Sequence, residues 1–231
     1  MFRIDYTVIS VIHSGMPQAN TPNRAGRRRL RTRAALLAAG REVFASQGVD
    51  ATTIQDITEA ADVAKGSFYN HFDSKRSILE AVAEETLADL GHALDLLTDP
   101  MRDDSARVLA VCLRHTLRAC VADPVLGWFT LRAGDVIAAG EISLGAYGRR
   151  DIGRGIESGR FQFDDLELAS TMIAGSFEVV LRRRLEGKLP VRADVAFTAH
   201  ALRLLGLPAD EAFAIAGEDL AQLGQSDTDL S

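Results

Sequence analysis

Thr52 to Lys75 reads TTIQDITEAADVAKGSFYNHFDSK, and the fold follows from it. Thr52 followed three residues on by Gln55 makes a capping-box pattern. Ile54, Ile57 and Ala61 then repeat at i, i+3, i+7, one face of a short helix. Asp62-Val63 predicts the turn, because Asp is among the few residues besides glycine that tolerate a left-handed backbone. A second short helix is expected over 64–72, with Ala64, Phe68 and Phe72 on its anchoring face. Asp73 is placed to cap a further helix, with Lys75 in its first turn. Short helix, tight turn, short helix and new helix start is the layout of a helix-turn-helix reader of DNA.

On the 64–72 helix, Gly66, Tyr69 and Asn70 point away from the phenylalanines, flanked by Lys65 and Ser67. Hydroxyl, amide and amine groups read base edges and phosphates in a major groove. An ordinary solvated helix surface has the same composition, so the face alone leaves both readings open. Gly66 weakens a helix, which points to close approach by something. Lys75 opposes the dipole of its own helix, and a nearby phosphate would account for it.

Upstream, a first helix is predicted over 32–47. Leu37, Gly40 and Phe44 share a face, with Leu36 and Val43 beside them. Gly48 marks its end. Gly40 costs about 1 kcal/mol against Ala in a helix and permits close packing. Residues 16–26 read as a flexible arm. From Arg24 to Arg33 there are six arginines and no acid, with Arg28 and Arg29 at the centre. They suit an arm along phosphates or in a minor groove, or else a solvated helix start. Residues 1–15 faintly resemble a signal sequence. Asp5 and the short apolar core TVISVI argue against one, and Met16 is an alternative start.

The 231 residues are 47% hydrophobic and 25% charged, a globular composition. No strand-like alternation stands out, and Ala, Leu, Arg and Glu at helical spacing predict an all-α protein. Net charge is −6, but unevenly spread: residues 1–80 carry 11 Arg/Lys against 8 Asp/Glu, and the remainder 15 against 24. Only the N-terminal part is expected to meet a polyanion. Cys112 and Cys120 lie two helical turns apart, about 12 Å, too far for a disulfide. They read as reduced thiols of a cytoplasmic protein. No Cys/His set has metal spacing, and no run reaches the roughly 18–20 apolar residues of a membrane span. With no nucleophile–base pair or phosphate loop, no catalytic site, metal or cofactor is expected.

From Leu36 to Leu79 the chain resembles the DNA-binding domain of TetR-type transcriptional repressors, through LLAAGREVF, QGVDATTIQDITEAADVAKGSFYNHF and DSKRSIL. The resemblance implies that Thr52 and Thr53 touch phosphate and that Lys65, Gly66, Ser67, Tyr69 and Asn70 face the groove. It also implies that Tyr69 and His71 contact the DNA backbone and that Lys75 clamps another phosphate. Two positions depart from the family pattern. The turn glycine is Asp62, which brings a negative charge near DNA. The usual Ser at the start of the recognition helix is Ala64, which lacks a cap hydroxyl worth about 0.5–2 kcal/mol.

The implied organisation is a disordered arm over 1–26, a helix-turn-helix domain over 27–73, an effector-binding and dimerisation domain over 74–223 and a disordered tail over 224–231. The implied function is a homodimeric repressor on a pseudo-palindromic double-stranded operator, with recognition helices roughly 34–36 Å apart, released by an unknown small-molecule effector. An activator or effector-independent regulator of the same family is the alternative; a helical carrier or enzyme is the rival of another class.

Beyond the head, a long helix is predicted over 74–97. Others follow over 104–122, 124–132, 136–158, 164–187, 192–206 and 208–222, punctuated by Pro100, Pro124, Pro190 and Pro208. Leu166, Ala169, Met172, Ile173, Phe177, Val180 and Leu181 make the 164–187 helix apolar on two sides. Val195, Ala199, Leu202 and Leu205 form a second stripe. The resemblance implies that these two helices pair with their copies in a four-helix bundle; the residues equally allow a monomer core. It further implies a pocket for a small hydrophobic ligand. The candidates for its lining are Cys112, His115, Trp128, Phe129, Arg132, Tyr147, Met172 and Phe177, with Arg132 or His115 pairing an acidic group. Each also fits plain core packing.

Overall fold

The computed structural model describes residues 24–132 and 143–220, which are helical with no strand among them. The helices are α1 (Arg24–Gln47), α2 (Ile54–Ala60), α3 (Lys65–Phe68), α4 (Lys75–Leu97), α5 (Ser105–Ala122), α6 (Pro124–Arg132), α7 (Ser143–Glu157), α8 (Leu166–Leu185), α9 (Ala193–Leu204) and α10 (Ala209–Gly217). A 3-10 turn, Asp99–Met101, follows α4. The chain divides into two compact units, with the boundary inside α4 between Thr86 and Leu87. The expected arm up to residue 23, the tail over 224–231 and the predicted helical stretch 136–142 lie outside the described residues.

In the N-terminal unit, Leu36, Leu37 and Phe44 of α1 close on Ile57 of α2, on Phe68 and Phe72, and on Ile78 and Val82 of α4. A β-carbon on Gly40 would sit 3.3 Å from Ile78 Cδ1, so the glycine lets α1 and α4 approach closely. Arg41 and Glu85 add an ion pair between the same helices, at 3.1 Å. Gly48 ends α1 with φ +81°.

Three local expectations are corrected. First, α1 begins at Arg24 rather than 32, so Arg24 to Gly26 are helical and the arginines belong to a helix rather than an arm. Next to this extension, the Arg33 guanidinium lies 4.5 Å from the centre of the Phe72 ring. Second, the cap of α2 is Thr53, one residue later than expected. Its hydroxyl accepts from the Asp56 N–H (3.2 Å), and its own N–H donates to the Asp56 carboxylate (2.8 Å). Third, regular helix in α3 stops at Phe68. The segment to Phe72 continues through turn hydrogen bonds from the His71 and Phe72 N–H groups to the Phe68 carbonyl.

In the C-terminal unit α5 is central and packs against α6, α7, α8, α9 and α10. On one side Leu109, Ile152, Phe161, Ile173, Leu202 and Ile215 form a core. On the other, Leu87, Leu94, Leu117, Leu126, Phe177 and Leu181 form a second. Each fully buried leucine or phenylalanine contributes about 1.5–3 kcal/mol. Helix α8 buries Ala169, Ile173, Phe177 and Leu181, and leaves Leu168, Met172 and Val179 exposed at 49%, 40% and 62%. Met172, expected inside, is therefore on the outer face. Both cysteines are free.

Candidate nucleic-acid interface and ligand cavity

α3 is short, and packing rather than its own hydrogen bonds holds it. Phe68 and Phe72 are buried with ring centres 5.7 Å apart, and Tyr69 meets Phe68 edge-on at 5.4 Å. With the phenylalanines turned in, Lys65, Gly66, Tyr69 and Asn70 are exposed and Ser67 is half-buried beside them. Open space surrounds the position where a Gly66 β-carbon would stand, so internal packing does not demand glycine there. The turn into α3 passes through Asp62 at φ +51°, the left-handed conformation expected from the sequence. Ala64 occupies the cap position and makes no side-chain cap hydrogen bond.

Arg28 and Arg29 are exposed on α1. His71 is half-buried; burial, then the fields of Arg29 and Arg33, push its pKa below the ordinary histidine value. An imidazole in the field of two arginines is a setting that an anion would relieve. Thr53 is exposed at the start of α2. Its neighbour Thr52 is 1% exposed, and its hydroxyl donates to the Gly48 carbonyl at 2.7 Å. The expected phosphate contact is thereby withdrawn from the Thr52 side chain, because the second threonine, not the first, caps the helix.

Lys75 also stands differently from expectation. Its ammonium donates to the Val49 carbonyl (2.8 Å), the Thr52 carbonyl (2.8 Å) and, at longer range, the Asp50 carbonyl (3.4 Å). Three donors meet three acceptors, so in this arrangement no proton is left for a phosphate. Hydrogen bonds to a charged group contribute about 1.5–3 kcal/mol when buried, and partial exposure lowers that here.

A cavity of about 120 Å³ lies in the C-terminal unit between α4, α5, α7 and α8. Its apolar wall includes Leu94, Leu109, Leu113, Ile173 and Phe177. Cys112, Tyr147 and Phe177 line it as expected; His115, Trp128, Phe129 and Met172 do not. Trp128 and Met172 are exposed instead, at 44% and 40%. Arg132 ends α6, and its side chain lies outside the described residues.

The polar end of the cavity was missed. Arg150 donates to Asp95 (2.6 Å) and to Asp151 (2.8 and 2.9 Å), and its guanidinium stacks 5.0 Å from the centre of the Tyr147 ring. Both Arg150 bonds to Asp151 fall on Oδ1; among the described residues no hydrogen bond is made to Oδ2. Burial raises the Asp151 pKa against the pull of Arg150. Burial also works against ionised Asp95, but Arg150 and Arg102 outweigh it and hold that carboxyl below the ordinary range. Burial, reinforced by the Asp151 charge, lifts the Cys112 thiol to about 12, leaving it an inert wall group. The missed signal was helical spacing: Asp151 stands four residues beyond Tyr147 and shares its face.

Comparison with known proteins follows this two-part division. Residues 36–82 match the model described as bacterial regulatory proteins, tetR family, and residues 104–218 match the tetracyclin repressor-like C-terminal domain. The solved structure of RolR in complex with resorcinol is 37% identical with a TM-score of 0.73, over 86% of this chain and 99% of that one. The transcriptional repressor DhaR of Mycobacterium sp. (strain GP1) is 47% identical over 55 residues, 24% of this chain and 28% of that protein. The transcriptional repressor KstR2 of Rhodococcus jostii (strain RHA1) is 39% identical over 74 residues, 32% of this chain and 34% of that protein. The chain thus spans a third or so of the length of the curated relatives it matches. With both domain models matched and near-complete coverage of RolR, the chain belongs to the TetR family of bacterial regulatory proteins.

Proposed function

We propose that the protein is a homodimeric transcriptional repressor of the cytoplasm that seats two copies of α3 in successive major grooves of a pseudo-palindromic operator. A small hydroxylated aromatic molecule in the C-terminal cavity releases it. The observation that carries this reading is the exposed run Lys65 to Asn70 fixed over buried Phe68 and Phe72. Lys65, Ser67 and Asn70 supply donors and acceptors for base edges, and Gly66 admits close approach. Tyr69, His71 and Thr53 take phosphates, and Arg28 and Arg29 follow the backbone on the extended α1.

Two copies are the natural cover for the outer face of α8. Leu168, Met172 and Val179 lie at i, i+4 and i+11, one stripe of exposed apolar side chains.

The effector class follows from the cavity. An apolar cavity of about 150 Å³ accommodates one benzene ring, and the volume here is comparable. Asp151 and Arg150 line the cavity; the Asp151 carboxylate would accept from a ligand hydroxyl, with the Arg150 guanidinium orienting it. Resorcinol, the ligand of the RolR structure, has this chemistry. Binding releases the operator provided the ligand favours the state that does not fit DNA.

The test is selection of duplexes from a random library by the protein, followed by gel shift. A pseudo-palindromic sequence is expected. Failure of the dimer to shift any duplex at low salt would sink the reading. Lys65→Ala and Asn70→Ala are expected to change the selected sequence, while Tyr69→Ala weakens binding to all duplexes. Titrated resorcinol is expected to dissociate the wild-type complex.

A further inference from the structure

We infer that Lys75 acts on DNA recognition from behind, as a positioning residue that pins the corner between α1 and α2, and makes no phosphate contact. The inference rests on the DNA-binding reading above and assigns one residue a different task within it. Lys75 opens α4, where its charge opposes the helix dipole. The compensation is internal: its ammonium meets the Val49, Asp50 and Thr52 carbonyls, contributed by residues 23 to 26 positions earlier in the chain.

What the pin holds is the start of α2. The Thr52 carbonyl belongs to the peptide whose N–H is that of Thr53, the cap residue. That N–H donates to Asp56, and Gln47 at the end of α1 donates to the same carboxylate oxygen at 3.1 Å. Lys75, the corner and the capping box therefore form one connected set joining the start of α4 to the start of α2. From α2 the chain passes directly through the Asp62 turn into α3. Loosening the corner shifts the helix that carries Lys65 to Asn70, whereas the exposed cations that meet phosphates stay as they are.

A positioning residue and a phosphate contact leave different signatures. Each phosphate contact contributes about 0.9 to the slope of log affinity against log salt. The probes are the duplex selected by the wild-type protein and a scrambled duplex of equal length and composition. Thermal melting first fixes a temperature at which every variant is folded.

For Lys75→Met, affinity for the selected duplex is expected to fall about tenfold or more, with the salt slope and the affinity for the scrambled duplex unchanged. Lys75→Arg keeps the charge, but its planar guanidinium does not converge on three carbonyls; it is expected to fail similarly. The proposal is overturned if Lys75→Met lowers the slope by about two units per dimer and weakens both duplexes while Lys75→Arg restores them. It is equally overturned if folded Lys75→Met binds the selected duplex as wild type does. Loss of wild-type binding to every duplex would instead remove the underlying DNA-binding reading.

Discussion

Two residues in the turn before α3 hold the head below its attainable stability. Asp62 carries a side chain at φ +51°, and Ala64 caps α3 with no hydroxyl. Ala64→Ser supplies the missing acceptor and is expected to raise stability by about 0.5–2 kcal/mol, read from urea denaturation. Asp62→Gly relieves a left-handed strain of about 1 kcal/mol and removes a carboxylate close to the candidate face. Higher operator affinity at an unchanged salt slope is expected.

His71 adds a pH dependence. In the free protein its pKa is lowered by burial and by Arg29 and Arg33. Its contribution to stability is therefore present above the ordinary histidine pKa and lost as pH falls through the lowered one. Under the proposed DNA-binding reading, operator phosphates would offset the arginine field and favour the charged ring, so binding would take up a proton. Operator affinity is expected to rise between about pH 8 and pH 6, and His71→Gln to flatten that rise.

At the scale of elements, the head was legible because its signals are local. Phe68 and Phe72 one turn apart, a turn residue tolerant of positive φ and a threonine before an apolar run all act within a few positions. The structure departs from the sequence reading where a distant neighbour decides. TT at 52–53 fits two capping registers, and burial of Thr52 selects the second. Six arginines within ten residues resemble an arm, while Phe72, some forty residues on, gives Arg33 a seat. The partners of Lys75 precede it by more than six helical turns of sequence. The cavity was harder still. Asp95 and Arg150 come from α4 and α7, and in sequence they are two more scattered charges. Bulky residues such as Trp128 attracted the expectation of a pocket but are exposed. Within the cavity, a β-carbon at Gly91 would stand 2.9 Å from the Tyr147 ring. Gly91→Ala pushes that ring from its place and is expected to weaken resorcinol binding about tenfold, within the usual cost of overpacking. Operator affinity without ligand should stay as in wild type; a matching loss there would count against a local effect.

For the whole molecule, the proposed function requires two copies to assemble. The exposed stripe of α8 predicts that Met172→Glu combined with Val179→Glu yields a monomer by sedimentation velocity. Operator affinity then falls about 100-fold or more, because each half-site is held alone. A dimeric double variant would place the interface elsewhere.

The chain has only three lysines, Lys65, Lys75 and Lys188. Lys188 is ion-paired with Glu186 at 2.8 Å, and Lys75 has its protons committed to carbonyls. An acylating reagent should therefore find Lys65 the most reactive lysine side chain, since its amine is exposed on α3. Under the proposed reading, acylation at Lys65 is expected to block operator docking, and bound DNA to protect Lys65 from the reagent while leaving Lys188 as reactive as before.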